Sequence, residues 1–208
     1  MLIRAHAVTP QPRLIEQAAQ VLAKDGIVVY PTESGYGMGC SAGSPKGLNK
    51  LYRLVDPIKA KVLALLFHDF SQISQWADVS NFAFRTMKPL MPGPYTFILP
   101  ARPKTAKLLG VKRPEVGVRM PMHPFMRALL ATQEHPLVNA AARFSERESE
   151  EFETGEAVES QYGRSVDLVV DSGDIPVIGT TIVSLLDDEI RLVRPGIGPL
   201  APLGLKEE

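Results

Sequence analysis

Residues 30–39, Tyr-Pro-Thr-Glu-Ser-Gly-Tyr-Gly-Met-Gly, are the part of the chain whose residue types best suit a small-ligand site. The apolar run at residues 27–30 predicts a buried strand that leads into three closely spaced glycines. We expect a turn in which Gly35, Gly37 and Gly39 leave their backbone amides uncovered, so that a ligand can approach the backbone closely. The alternative is a tight turn that packs under the sheet and binds nothing.

Thr32, Glu33 and Tyr36 supply the functional groups of this segment. They offer a hydroxyl, a carboxylate and an aromatic ring that could stack on a base or cover an acyl chain. The glycine spacing, Gly-x-Gly-x-Gly, differs from the dinucleotide pattern Gly-x-Gly-x-x-Gly and from a phosphate loop that ends in Gly-Lys-Ser/Thr. The glycines alone therefore do not identify a nucleotide site.

Strands and helices alternate irregularly along the chain. Residues 13–24 carry apolar side chains at helical spacing, Ser44 before a proline predicts a second helix start, and further helices are expected near Ser80 and at residues 125–132. Strands are predicted at residues 62–67, 96–99, 116–119, 137–139, 168–170, 181–185 and 190–193, the last two as a hairpin. This order indicates an α/β fold with a twisted mixed sheet and flanking helices.

The length of the chain and its charge balance bear on the number of domains and on binding to nucleic acids. The chain has 208 residues and no linker-like stretch, so we expect a single domain over residues 1–208. Lys plus Arg and Asp plus Glu both total 23, so no net field attracts a polyanion. A local basic patch between residues 101 and 119 could attract phosphates, but a solvated surface loop is the favoured interpretation. The Glu-rich segment at residues 146–159 would repel RNA.

The sequence also predicts where the protein works and which sites it lacks. The longest aliphatic or aromatic run, residues 62–67, is far shorter than the roughly 20 residues of a membrane helix. Residues 1–10 contain no apolar stretch of signal-peptide length and Cys40 is the only cysteine, so a cytoplasmic protein is expected. The four histidines lack metal-ligand spacing, and we expect no metal site.

Residues 30–39 resemble the signature of the YrdC/YciO family, and four further segments follow in the order that this family shows. These are Pro-Gly-Pro-x-Thr at residues 92–96, Val-Arg-x-Pro at 118–121, Thr-Thr-Ile-Val at 180–183 and Arg-Pro-Gly at 194–196. The resemblance covers about residues 13–198. It implies a YrdC-like fold, a twisted α/β sheet around a large, basic, concave cavity.

The best-known members of this family make threonylcarbamoyl-adenylate from threonine, bicarbonate and ATP, the first step toward threonylcarbamoyladenosine in tRNA. By position, the resemblance implies that Thr32 and Arg119 face the amino-acid part of such a ligand. Thr180 and Arg194 would face the nucleotide part, and Tyr36 would line the cavity. These roles are chemically reasonable, because a guanidinium can hold a carboxylate bidentately and a hydroxyl can bond a phosphate oxygen or an adenine edge.

Two polar pairs of the family's synthases are absent here. The synthases carry Lys-x-Arg after the second helix and Ser-x-Asn after a later strand, where this chain has Val55-Asp-Pro57 and Ala141-Ala-Arg143. In the synthases these residues face the triphosphate, and each lost charge-assisted hydrogen bond is worth about 1.5–3 kcal/mol. Lys59, Lys61 and Arg143 could restore phosphate-binding charge, or the two lysines could simply be solvated. The pattern resembles the YciO subgroup.

Three hypotheses follow. The first is a YciO-like protein that binds a nucleotide or acyl-adenylate such as threonylcarbamoyl-AMP, with hydrolysis as a further step for which Glu33 is the only carboxylate in the motif. The second is an active threonylcarbamoyl-AMP synthase, which would use ATP with Mg²⁺. The third is a non-enzymatic module that binds double-stranded RNA, against which the neutral net charge counts. No cofactor is firmly implied, and the expected ligands are ATP, AMP or an acyl-adenylate.

Overall fold

The computed structural model of this protein describes residues 1–55, 63–110, 114–141 and 153–206. Within them, ten strands form one sheet that α-helices flank. The strands are β1 Leu2–Arg4, β2 Val28–Thr32, β3 Gly35–Ser41, β4 Ala64–Leu66, β5 Tyr95–Pro100, β6 Glu115–Arg119, β7 Leu137–Ala141, β8 Leu168–Asp171, β9 Thr181–Ser184 and β10 Arg191–Arg194. The helices are α1 Pro12–Ala23, α2 Pro45–Leu54, α3 Phe70–Ile73, α4 Asn81–Met87, α5 Pro103–Leu109, α6 Pro124–Ala131 and α7 Gly155–Tyr162.

Serine and proline set the starts of several helices. Ser44 Oγ accepts a hydrogen bond from the Gly47 amide at 2.8 Å before α2, and Ser80 Oγ accepts one from the Ala83 amide at 3.1 Å before α4. Each bond satisfies a backbone donor that a first helical turn leaves free. Helices α1, α2, α5 and α6 carry a proline in their first turn, where a missing amide proton costs nothing. The four helices predicted from the sequence are confirmed as α1, α2, α4 and α6.

The strand order across the sheet is β1-β8-β2-β3-β7-β4-β6-β5-β9-β10. Parallel and antiparallel neighbours are mixed, since β2 and β3 are antiparallel while β4 and β6 are parallel. Strands β9 and β10 form the predicted antiparallel hairpin. The predicted mixed α/β sheet is therefore confirmed, and its centre joins strands that lie far apart in the sequence.

The two faces of the sheet carry separate apolar clusters. One cluster contains buried residues of α1 and α6 together with sheet residues, and we call this side the α1/α6 face; its sheet members are Val28, Tyr30, Leu66, Leu137, Leu168 and Val170. The other side, the α2 face, has a larger cluster that includes Val29, Tyr36, Met38 and Cys40 with Leu48 and Leu51 of α2. Successive residues of β2 alternate between the clusters, as the pleat of a strand requires. In β3 every second residue belongs to the cluster of the α2 face, and the residues between them are glycines.

The three-glycine segment is strand β3 and not the predicted turn. Gly37 pairs with Tyr30 on one side and with Ala141 on the other, so its backbone belongs to the sheet. The Tyr30 ring covers Gly37 and Gly39, whereas Gly35 faces Val177. A Cβ atom at Gly37 would stand 2.8 Å from Tyr30 Cε2, and one at Gly39 would stand 2.6 Å from the Tyr30 hydroxyl oxygen. The prediction of uncovered amides was wrong for Gly37 and Gly39, because both are paired within the sheet and their missing side chains make room for an aromatic ring.

Several short elements were not predicted from the sequence, namely β1, α3, α5 and α7. Contacts with distant residues stabilise them. Strand β1 pairs with β8, and Thr105 Oγ1 in α5 donates to the Trp76 carbonyl at 2.6 Å. At the start of α7, the Gly155 amide donates to Asp171 Oδ1 at 3.1 Å. Elements of three to eight residues that depend on such contacts leave little periodic signal in the sequence.

Candidate functional site

The tip of the β2–β3 hairpin holds two polar residues of the predicted site. Thr32 Oγ1 donates to the Gly35 carbonyl at 2.6 Å and accepts from the Ser34 amide at 3.3 Å. Gly35 has φ +122°, a backbone conformation that favours glycine, which closes the tight connection. The tip therefore presents Glu33 and Ser34 in a fixed arrangement.

Arg119, the last residue of β6, binds this tip. Its Nη2 donates to Glu33 Oε1 at 2.7 Å and to Ser34 Oγ at 3.0 Å. The second Glu33 oxygen, Oε2, accepts from the Met122 amide at 3.0 Å. Arg119 is 5 % exposed, and its buried Nε has no hydrogen-bond partner among the described residues. The predicted guanidinium thus already holds a carboxylate, and that carboxylate belongs to the protein.

The two predicted residues at the nucleotide end lie beside the same tip. The Ser34 carbonyl accepts from the Gly179 amide at 3.0 Å, which places the residues before β9 against the hairpin. The hydroxyls of Thr180 and Thr96 are 2.8 Å apart, and both residues are buried. Arg194 of β10 donates through Nη2 to the Thr180 carbonyl at 3.0 Å. A chain of contacts therefore runs from Glu33 and Arg119 to Thr180 and Arg194.

Tyr36 lies apart from this group. It belongs to the cluster on the α2 face, and its hydroxyl donates to the Gly173 carbonyl at 2.7 Å and lies 3.0 Å from Asp171 Oδ1. The Ser172 amide donates to the same hydroxyl at 3.0 Å. Burial raises the pKa of this phenol. The structure thus brings five of the six predicted ligand-binding residues together and leaves Tyr36 on the other face.

The three predicted phosphate-binding residues, Lys59, Lys61 and Arg143, lie outside the described residues. Of the two positions where synthases carry polar pairs, Val55 and Ala141 are described. Ala141 ends β7 and is exposed. A methyl group therefore occupies the position at which, by the resemblance, the synthases carry a serine.

The α1/α6 face has small side chains at its centre. Asn139 of β7, Ala64 of β4 and Gly117 of β6 stand directly opposite one another on neighbouring strands, so they share a face. The apolar cluster of this face includes residues of β4 and β7 but none of β6, β5 or β9 in the described part of the chain. The Arg119 network and the Thr96–Thr180 pair flank this region, which makes it the candidate ligand surface.

A cavity lies elsewhere in the protein, and its charge does not suit a phosphate. A cavity of about 550 Å³ is lined by residues near the starts of α4 and α5 and near the β9–β10 turn, including Asp78, Arg102, Asp187 and Asp188. Its three carboxylates outnumber the one arginine, so it would repel a phosphate. None of the predicted site residues that the structure describes lines it.

Two structural features are absent from the described residues, a cluster of metal ligands and a membrane-spanning helix. No group of three or more His, Cys, Asp or Glu side chains there could hold a metal ion. None of the described helices is long and apolar enough to cross a bilayer.

His123 lies next to the Arg119 network, at the residue before α6. Its Nδ1 accepts from the Phe125 amide at 3.3 Å, which caps the helix. Burial lowers the pKa of His123 below its ordinary value of 6.5, and the charge of Glu33 partly opposes this change. The neutral ring is therefore the form that the fold favours.

The lowered pKa predicts a pH dependence of stability. Below pH 6.5 the unfolded chain takes up a proton at His123 more readily than the native state, so the free energy of unfolding falls as the pH falls from 6.5 toward the native pKa. In His123→Asn, whose side-chain oxygen can still accept from Phe125, this component disappears. Urea unfolding between pH 7 and pH 5 should show a smaller loss in the variant than in the wild type. Equal losses in both proteins would contradict the prediction.

Sequence reasoning missed two residues of this region, Ser34 and Asn139. Ser34 stood at a variable position of the signature, yet it contacts Thr32, Arg119 and Gly179. Asn139 accepts a hydrogen bond from the Tyr30 hydroxyl at 2.8 Å. A polar residue in the middle of the apolar strand at residues 137–141 was the available signal, because a buried strand seldom carries an amide without a partner.

Comparison with known proteins places the chain in a family. The family model Sua5/YciO/YrdC, described as "Telomere recombination", matches residues 20–196. YciO of Escherichia coli (strain K12) is 34 % identical over 198 residues, which cover 95 % of this chain and 96 % of that protein. The crystal structure of E. coli YciO superposes with a TM-score of 0.88 at 33 % identity and covers 97 % of this chain and 98 % of that one.

Two further proteins extend the comparison. A threonylcarbamoyl-AMP synthase of Idiomarina loihiensis is 34 % identical over 158 residues, which cover 74 % of this chain and 84 % of that protein. The crystal structure of P. abyssi Sua5 complexed with L-threonine matches with a TM-score of 0.88 at 22 % identity. That match covers 98 % of this chain and 59 % of the Sua5 chain and shows a shared fold. The chain therefore belongs to the Sua5/YciO/YrdC family and is related to the threonylcarbamoyl-AMP synthases.

Proposed function

We propose that this protein binds a small acyl-adenylate, with threonylcarbamoyl-AMP as the reference ligand, on the α1/α6 face. The observation that carries the proposal is the network that joins Glu33 and Arg119 to Thr180 and Arg194 through Ser34. Polar groups from four distant segments converge beside a stretch of sheet with small side chains. A few convergent polar groups beside apolar surface are typical of a small-molecule site.

The relatives support this ligand class. One relative is a threonylcarbamoyl-AMP synthase, and a structure with the same fold contains L-threonine. In our proposal Thr32 and Arg119 contact the amino-acid part of the ligand, and Thr180 with Arg194 contacts the nucleotide part. Lys59, Lys61 and Arg143 are proposed to contact its phosphate.

Glu33 is proposed to exchange with the ligand's carboxylate. Arg119 has low exposure and already donates to Glu33 at 2.7 Å, so a second carboxylate can reach Nη2 only if Glu33 moves away. The exchange keeps one carboxylate on the guanidinium, so Arg119 is never left as a buried, unpaired charge. The Glu33 side chain is 16 % exposed before the exchange, so it lies near solvent. When it leaves Arg119, it loses the ion pair and becomes hydrated.

A second candidate function is synthesis of threonylcarbamoyl-AMP. The 34 % identity to the Idiomarina loihiensis synthase favours it. The methyl group of Ala141, at a position where the synthases carry a hydroxyl, speaks against it. Release of pyrophosphate that depends on threonine, bicarbonate and ATP together would establish synthesis, and its absence would leave binding without synthesis.

Calorimetric titration tests the proposed function. Wild-type protein is titrated with AMP, ATP and threonylcarbamoyl-AMP, and we expect the acyl-adenylate to bind most tightly. Arg194→Met should weaken binding about tenfold or more, because a charge-assisted hydrogen bond to the ligand is lost. Arg191→Met is the matched control, since Arg191 lies on the same strand and pairs with Glu189. No binding of any of the three nucleotides by the wild type would overturn the proposal.

The same samples separate the remaining hypotheses. Chromatography of threonylcarbamoyl-AMP after incubation with the protein shows whether it is hydrolysed. Titration with double-stranded RNA at increasing salt tests the RNA-binding module, because binding to phosphates weakens steeply as salt rises. Strong RNA binding together with no nucleotide binding would favour that module over our proposal.

A further inference from the structure

Asn139 has an amide whose orientation is fixed by a buried tyrosine. Tyr30 is fully buried, and its hydroxyl donates to Asn139 Oδ1 at 2.8 Å. Burial raises the pKa of this phenol, so the hydroxyl keeps its proton and needs an acceptor. In the side chain of Asn139 only Oδ1 can accept. The amide nitrogen therefore points away from Tyr30.

The glycines of β3 make this contact feasible. The Tyr30 ring crosses over β3 to reach Asn139 on β7, and a Cβ atom at Gly37 would stand 2.8 Å from the ring and 2.7 Å from Asn139 Oδ1. A side chain at either Gly37 or Gly39 would push the ring or the amide away. The glycine spacing thus serves to position one amide group.

The Asn139 amide nitrogen, Nδ2, carries two N–H groups that can donate hydrogen bonds. Among the described residues no group accepts a hydrogen bond from it, and Asn139 is partly exposed on the α1/α6 face. In the described part of the chain, the buried side-chain polar atoms without a hydrogen-bond partner are His68 Nδ1 and Arg119 Nε. Asn139 Nδ2 is not one of them, so this nitrogen is accessible to solvent. Two N–H groups are therefore directed toward accessible space.

The surroundings of this donor suit a ligand. Beyond Asn139 the same row of the sheet continues with Ala64 and Gly117, which contribute only a methyl group and a hydrogen. Strands β4 and β6 separate β7 from β5, so three strand spacings, about 14 Å, separate Asn139 from β5. The residue of β5 opposite Gly117 is Ile98, and Thr96 lies two residues further along the strand, so Asn139 and Thr96 are more than about 14 Å apart. The Asn139 amide on one side of these small residues and the Thr96 and Thr180 hydroxyls on the other can bind two parts of a ligand of nucleotide size.

We propose that Asn139 contributes to ligand binding at the candidate site by donating from Nδ2 to a phosphate or acyl-phosphate oxygen of the ligand. Tyr30 is the positioning residue that holds the amide in this orientation. The inference rests on the proposed function and adds a residue to it. A neutral amide donor makes its strongest bond with an anionic oxygen, which is why a phosphate group is the expected acceptor.

Asn139→Asp tests this proposal with little change of shape. The variant keeps an oxygen for the Tyr30 hydroxyl but replaces the donor by an anionic oxygen, which repels phosphate. Calorimetry with whichever of AMP and threonylcarbamoyl-AMP the wild type binds should show a dissociation constant at least tenfold higher. Asn49→Asp adds the same charge at an exposed position on α2, a helix of the other face, and should leave the constant within twofold.

Two more measurements separate a ligand contact from a structural role. In ¹⁵N NMR spectra the side-chain amide signals that disappear in Asn139→Asp should shift when the wild type is titrated with the nucleotide. Tyr30→Phe should weaken binding severalfold while Asn139 remains present, because the amide is then free to rotate. Unchanged amide signals, or wild-type affinity in Asn139→Asp, would overturn the inference. If the wild type binds neither nucleotide, the proposed function fails as well.

Discussion

Replacing Arg119 by methionine is expected to lower the free energy of unfolding by about 3 kcal/mol or more, because it removes one partner of a buried ion pair. The side chains of Arg119 and Glu33 are only 7 % and 16 % exposed. Without the guanidinium, Glu33 Oε1 and Ser34 Oγ lose their shared donor, and a poorly hydrated carboxylate remains. Urea unfolding monitored by circular dichroism measures the change.

Arg102→Met is the control for this prediction. Arg102 pairs with Asp78 at 3.3 Å, but the two side chains are 49 % and 62 % exposed. Exposed ion pairs contribute little, so we expect a loss below about 1 kcal/mol. Similar losses in the two variants would show that burial of the Arg119 pair has no energetic consequence. That result would also remove the reason for regarding the hairpin tip as fixed to β6.

A double variant isolates the interaction between the two charges. Glu33→Leu combined with Arg119→Met removes both buried charges, and we expect it to be more stable than Arg119→Met alone. The Met122 amide loses its acceptor in both Glu33 variants, so the cycle includes Glu33→Leu to account for that bond. Strict additivity of the two single changes would contradict a direct ion pair.

Local signals in the sequence predicted a large part of the fold. The apolar spacing of α1, the serine caps at Ser44 and Ser80 and the prolines in the first turns all act within a few residues, and the structure confirms them. The alternation of β2 between the two clusters also follows from strand geometry. What failed was the role of the glycines at residues 35–39. A glycine that frees the backbone and a glycine that makes room for a ring look alike in the sequence.

The candidate site was predictable only as a set of separate residues. The resemblance to a family placed Thr32, Arg119, Thr180 and Arg194 in one site, and the structure brings them together. The pairing of Arg119 with Glu33, 86 residues away, has no local signal, and it changes the expected chemistry because the guanidinium is already occupied. Tyr36 was assigned to the cavity from its position in the motif, but strand alternation puts it on the α2 face, where Asp171 and Gly173 contact it.

Gly39→Ala is expected to destabilise the protein by about 3 kcal/mol, the upper part of the range for overpacked sites. A Cβ atom there would stand 2.4 Å from the Val138 carbonyl oxygen and 2.6 Å from the Tyr30 hydroxyl. The carbonyl belongs to the backbone of β7, so it cannot move without disturbing the pairing of Gly39 with Asn139. Thermal and urea unfolding measure the loss.

Gly110→Ala is the control for Gly39→Ala, since among the described residues no heavy atom beyond its neighbours in the chain and its own helix lies within 4 Å of a Cβ atom at Gly110. Gly110 has φ +60°, so alanine there carries only the cost of a left-handed backbone, about 1 kcal/mol. The difference between the two variants measures steric crowding apart from backbone strain. Combining Gly39→Ala with Tyr30→Phe removes one of the two close contacts and should cost less than the sum of the single changes. Equal losses for Gly39→Ala and Gly110→Ala would mean that the Tyr30 ring does not press on β3, and the fixed orientation of the Asn139 amide would lose its structural basis.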